Sequence, residues 1–273
     1  MSMTRNLGTT ALLALLATPT LAQDATLDLV GPLAEYKIYV AENTAELVKS
    51  TSTFTDAIKA GDLETAKALF APTRTHYEAV EPIAELFSDL DVAIDARADD
   101  YEQGEKDPGF IGFHRIEYGL WDQGSTEGLA DYADGLMANV IDLNDRINTL
   151  TFPPEIVVGG AAVLMEEVAA TKISGEENRY SRTDLWDFEA NFQGSEKIYD
   201  LIKPLIAGKN ADFVASTDAN FAAVYEVLSK YKTDDGGFVS YENLSDDDRN
   251  LLSAKVNTLA EDLSTLRGML GLN

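Results

Sequence analysis

The chain has 273 residues, with 47 acidic against 21 basic side chains, a formal charge of −26 and no cysteine. That balance argues against nucleic acid and anionic membrane surfaces as partners, and the lack of thiols excludes disulfides, thiolate metal ligands and a cysteine nucleophile. The length is enough for one large or two small domains with a proper core.

Residues 1–22, MSMTRNLGTTALLALLATPTLA, carry one positive charge at Arg5, an apolar run from Ala11 to Ala17, and small residues before Gln23. This reads as a cleavable signal peptide, because the run is shorter than the roughly 20 residues that span a bilayer. Removing it leaves 20 basic and 47 acidic residues, a formal charge of −27. The mature protein is expected to be exported, periplasmic and not membrane-embedded. Without cysteine at the processed terminus it is not expected to be a lipoprotein.

Apolar residues then recur at helical spacing, as in Leu33, Tyr36, Ile38, Val40, Ala45, Leu47 and Val48. The pattern predicts an all-α protein. Gly61 and Asp62 separate a helix ending near Lys59 from one beginning DLETAKALF, with Asp62 as its N-cap. Thr151-Phe-Pro-Pro154 makes a central break, since proline cannot continue a helix and restricts the residue before it. Loops are expected at Gly208-Lys-Asn and over Lys232 to Gly237. Each half has room for about four helices, so the expected architecture is two packed four-helix bundles, residues 23–152 and 153–273, with a cleft between them. AIKAGDLETAKALFAPTRTHYEAV and PLIAGKNADFVASTDANFAAVYEVL share Ala-Gly and Tyr-Glu at similar spacing. That is consistent with an internal duplication, and also with shared helix and loop composition.

Two histidines, His76 and His114, are present, so a metal site would rest mainly on oxygen. In GFHRIEYGLW, His114 and Glu117 are three apart, which places imidazole and carboxylate on one helix face. Such a pair is common, and by itself it more often marks a surface pair or a satisfied buried histidine. His76 reads as a surface residue. Upstream, HYEAVEPIAELFSDLDVAIDAR sets Glu78, Glu81 and Glu85, then Asp91 and Asp95, at helical intervals among apolar residues. Some of these acids must lie at the core boundary, where carboxylates need a partner or a metal. Pro82 is expected to bend this helix. In ISGEENRYSRTDLWDF, the acids near Arg179 and Arg182 suit helix capping and ion pairing as well as a cleft wall.

These three segments, in this order, resemble the imelysin-like proteins of the EfeO and EfeM group, which carry an HxxE motif, and the resemblance covers essentially the whole mature chain. It implies a periplasmic component of an iron uptake system, with two helical bundles flanking a cleft. Of the family's ligands, the HxxE pair falls on His114 and Glu117. The upstream acids fall on Glu81 and Asp95, with Glu78 behind them, and one from the second bundle falls on Glu177 or Glu176. The implied ion is ferric or ferrous iron. An imidazole with several carboxylates also suits manganese, calcium or zinc, and disfavours copper(I). The implied partners are a membrane iron permease and a periplasmic dye-decolourising peroxidase. No cupredoxin-like segment precedes the helical part, so the match is to the short EfeM type. Binding of an acidic polysaccharide such as alginate is a competing reading, set against repulsion by the −27 charge. A metallopeptidase is a second, but the chain has no HExxH, which leaves Glu117 as the nominee for a general base. Near neutral pH the imidazole is expected to be largely neutral and ready to bind, and acidification to weaken binding.

Overall fold

The computed structural model describes residues 28–170 and 172–272, so the signal-peptide reading of residues 1–22 lies outside the described residues. Helix α1 (Val30–Lys59) and helix α2 (Leu63–Glu78) form a hairpin turned at Gly61, whose φ is +78°. The Asp62 carboxylate accepts the Thr65 N–H at 3.1 Å, the expected N-cap. Both helices bury one stripe: Tyr36, Val40, Leu47 and Phe54 on α1, and Ala66, Phe70 and Tyr77 on α2.

The acid-rich stretch that follows is not one helix. Helix α2 stops at Glu78 and the chain turns at Ala79–Val80. A single turn, α3 (Glu81–Ala84), then leads through a 3-10 turn at Glu85–Phe87 into α4 (Ser88–Asp95). Pro82 therefore bends nothing: it sits in the first turn of α3, where a backbone N–H would have had no helical partner. Pro72 and Pro204 are the prolines that lie inside helices. Two further 3-10 turns, at Ala98–Asp100 and Gly104–Lys106, precede α5 (Gly112–Trp121) and α6 (Ala130–Thr149). Helix α6 lies along α1, and α4 and α5 pack on α6.

Helix α7 (Pro154–Ala170) begins on a proline after the coil at 151–153, which is the break expected from the Pro-Pro pair. It is followed by α8 (Asp184–Ile206), α9 (Ala211–Ser229), α10 (Asp246–Ser264) and the short α11 (Leu266–Leu270). Helices α7 and α9 each pack on both α8 and α10. Both segments of the weak internal similarity fold as helical hairpins, α1 with α2 and α8 with α9.

Helix α8 also crosses to α2 and α1. The crossing is close because of Gly194: a Cβ there would run into the backbone carbonyl of Ala79. One apolar core runs from Phe54, Phe70 and Phe113 through Phe188 and Phe192 to Phe221 and Leu259. The β pairing among the described residues is an isolated bridge between Lys232 and Phe238, so the chain is all-α. Among the described residues, no helix is long and apolar enough to cross a membrane.

Candidate metal centre

The centre begins with a glycine. Gly112 opens α5 at φ +79°, and a Cβ there would collide with the carbonyls of Ile94 and Ala93. A left-handed residue without a side chain thus lets the start of α5 rest on the end of α4, which brings His114 beside Asp95. Phe113 locks α5 in place, with its ring 6.2 Å from those of both Phe54 and Phe70.

On α5 the pair three residues apart does share a face: His114 Nδ1 lies 3.0 Å from Glu117 Oε2. Glu117 is fully buried, and its other oxygen accepts the backbone N–H groups of Tyr180 at 3.1 Å and Ser181 at 2.8 Å. The carboxylate accordingly orients the imidazole with Nδ1 as donor, and pins the segment before α8 onto α5. Nε2 is left facing Asp95 Oδ1 at 3.5 Å and Glu177 Oε1 at 3.6 Å, too far for a good hydrogen bond, and the ring is only 2% exposed. One ligand atom each from Asp95, His114 and Glu177 lie within 4.8 Å of one another. Of the two acids proposed from the second half, Glu177 is buried in this group and Glu176 is exposed.

The remaining sequence candidates, Glu78 and Glu81, stand next to this triad but face cations of the protein itself. Arg74, fully buried above the rings of Phe70 and Phe113, forms ion pairs with Asp95 and Glu78, with Glu177 at 3.2 Å and with Asp187 at 3.4 Å. Lys172, also fully buried, donates to Glu78 Oε2 at 2.5 Å and Glu81 Oε2 at 2.9 Å. Asn191 of α8 donates to the same two carboxylates at 3.1 and 2.8 Å. Glu81 also belongs to a second acidic group with Glu85 and Glu167. Both groups border one cavity of about 320 Å³, lined by Glu81, Glu85, Asp91, Asp95, Glu167 and Glu177, with Arg97 and Tyr101 among its other walls.

Burial and charge divide these acids. Burial works against the ionised form of Glu177, but Lys172, His114 and Arg74 outweigh it and hold the carboxyl well below its usual range. Asp95 is lowered in the same way, burial being overcome by Arg74 and His114. Burial keeps Glu81 well above the carboxylate range despite Lys172, and pushes Glu85 up to about 7. For His114, burial and Arg74 favour the neutral ring, yet Asp95, Glu117 and Glu177 prevail and raise it well above 6.5. This corrects the expectation of a neutral imidazole at neutral pH: three carboxylates surround it, two of them from segments distant in sequence.

Sequence reasoning missed Arg74, Lys172, Asn191 and Glu167. Glu85 stood in the acidic series but was not singled out. Nothing local marks Arg74 or Lys172, whose partners lie up to 103 positions away.

The family model described as Imelysin (Peptidase_M75) matches residues 32–266. The chain is 59% identical over 263 residues to "Iron uptake system component EfeM" of Pseudomonas syringae pv. syringae (strain B728a), covering 96% of this chain and 92% of that protein. It is 58% identical over 250 residues to "Iron uptake system component EfeO" of Escherichia coli (strain K12), covering 92% of this chain and 66% of that one. The EfeO of Escherichia coli O157:H7 gives the same identity and coverage.

Proposed function

Because the chain belongs to the imelysin family, matched over residues 32–266, we propose that it is a non-enzymatic iron-capture protein of an Efe-type uptake system. In this reading it works in the periplasm and delivers ferric or ferrous iron to a membrane permease, with a peroxidase as a further partner. The observation that carries the proposal is His114 Nε2, a buried nitrogen without a hydrogen bond that faces Asp95 and Glu177. A buried polar atom left this way costs free energy, and an ion between the three groups would satisfy it.

In this assignment Asp95, His114 and Glu177 supply ligand atoms, and Glu81, on the same cavity wall, is the next carboxylate at hand. Glu117 fixes the ring rather than meeting the ion, since its oxygens already accept from His114, Tyr180 and Ser181. Glu78 is held by Arg74, Lys172 and Asn191. One nitrogen among oxygens is a donor set for iron, and also for manganese, calcium or zinc. The same contacts weigh against a peptidase, because Glu117, the nominee for general base, has both oxygens engaged. An alginate chain would meet a cavity walled by seven carboxylates, Asp100 included.

Iron titration of the mature protein is expected to show about one ion per chain, as a single compact centre would give. Binding should be abolished in His114→Ala with Glu117→Ala and strongly weakened in Asp95→Asn. An unchanged titration in the double variant would sink the assignment.

A further inference from the structure

Lys172 offers an inference that rests on the iron-capture reading and deepens it. Its ammonium is fully buried and lies against both Glu78 and Glu81, two acids adjacent to the proposed ion position. Every oxygen of these two carboxylates is engaged. Arg74 takes Glu78 Oε1; Lys172 and Asn191 share Glu78 Oε2 and Glu81 Oε2; Lys172 reaches Glu81 Oε1 at 3.2 Å. Asp95, His114 and Glu177 together supply only three ligand atoms. A hard ion prefers about six, so it gains by recruiting a further carboxylate, and Glu81 borders the same cavity as Asp95 and Glu177.

We infer that Lys172 is an internal competitor for the ion: it occupies Glu78 and Glu81 and lowers the affinity of the centre by the free energy needed to take Glu81 from it. A lysine suits this task. Its ammonium is a compact point charge on a flexible four-carbon stem, able to give up one partner and keep another, unlike the rigid fork of Arg74. Lys172 sits on a three-residue 3-10 turn, Lys172–Ser174, outside the long helices. The pull of the ion on Glu81 grows with ionic charge while the hold of Lys172 is fixed, so the competition concerns a trivalent ion more than a divalent one. For a protein that must release its cargo, such a brake keeps capture reversible.

The test uses the mature chain, with ferric ion supplied as its nitrilotriacetate complex and zinc as a divalent probe. Lys172→Met is expected to bind ferric ion at least tenfold tighter than the wild type, with a smaller gain for zinc. Because that variant leaves buried Glu81 without its cation and Glu78 with Arg74 alone, and so risks misfolding, the deciding protein is Lys172→Met combined with Glu78→Gln. This pair removes one positive and one negative charge together and leaves Glu81 held by Asn191 alone. Tighter ferric binding by the double variant supports the competitor role. Ferric affinity at or below that of the wild type overturns it and makes Lys172 a structural cation. A wild-type protein that binds neither ion overturns the iron-capture reading itself, so the two failures are distinguishable.

Discussion

At His114 the two ring nitrogens have separate tasks, and the charge around them sets when the second is available. Nδ1 is committed to Glu117, while Nε2 faces Asp95 and Glu177, whose negative charge helps keep the ring protonated well above pH 6.5. An ion that takes Nε2 must displace that proton, so binding at neutral pH is expected to release about one proton per ion from the ring, and a further one where Glu81, held above the carboxylate range, joins the ion. Calorimetry in buffers of different ionisation enthalpy measures this directly, and zero release would refute the charged ring. The sign for stability follows from the same shift. A raised histidine contributes fully below its unfolded value of 6.5, and the contribution is lost as pH rises through the folded one. Asp95 and Glu177 are lowered, so theirs is present above 3.8 and 4.5 and is lost as pH falls through the depressed values. Without added ion the thermal midpoint should therefore decline on the alkaline side, and His114→Gln should flatten that decline. Arg74 is the other pivotal residue, since four buried or half-buried carboxylates depend on it. Arg74→Met should cost about 3–5 kcal/mol, the usual consequence of stranding buried charge, seen as a lowered urea midpoint.

At the scale of elements, what could be read in advance is what is local. The α1–α2 turn, the Asp62 cap, the Pro-Pro break before α7 and the shared face of His114 and Glu117 each depend on residues within a few positions of one another. The stretch from Glu78 to Asp95 was misread because its helical spacing continues across a turn at Ala79–Val80 that carries no glycine, and because Pro82, which marks the start of α3, reads locally as a bend within one helix. Arg74 and Lys172 were invisible for a related reason: each is a lone cation in an ordinary local setting, and only the crossing of α8 over α2, with the 3-10 turn after α7, makes them central. Two glycines hold close contacts around the site, Gly194 where α8 crosses the end of α2 and Gly112 where α5 meets α4. Gly112→Ala would force a side chain onto a left-handed residue, at about 1–2 kcal/mol, besides pushing α5 away from the Ile94 carbonyl. Gly194→Ala would wedge α8 off Ala79, an overpacking of about 1–3 kcal/mol. Both should lower the thermal midpoint. Gly112→Ala should also weaken iron binding out of proportion to its stability loss, because it displaces His114 relative to Asp95. Equal loss in the two variants would show that the α4–α5 contact does not set the site.

For the whole molecule, the question is whether the two halves are separate folding units or one. We propose the coil at 151–153 as the boundary between two bundles, residues 23–152 and 153–273. The polar interior is nevertheless divided between them. The first half supplies Arg74, Glu78, Glu81 and Asp95, and the second supplies Lys172, Glu177, Asp187 and Asn191. Cutting at the boundary leaves Lys172 without either carboxylate and Glu78 and Glu81 without their lysine, each a buried group that must hydrate or change protonation. It also uncovers the face of α8 that packs on α2 and α1. Neither half is therefore expected to reach the stability of the intact chain, which should unfold in urea as one transition whether followed by helix content or by tryptophan emission. Trp121 and Trp186 report on one half each, so a two-step melt in their emission would separate the bundles. Residues 153–273 expressed alone should be helical but melt at lower denaturant, with a shallow, weakly cooperative slope, and mixing with residues 28–152 should restore both cooperativity and iron binding. A fragment that unfolds at the midpoint of the full chain would show that the shared charge network adds nothing to folding, and that the centre is assembled from two bundles already stable on their own.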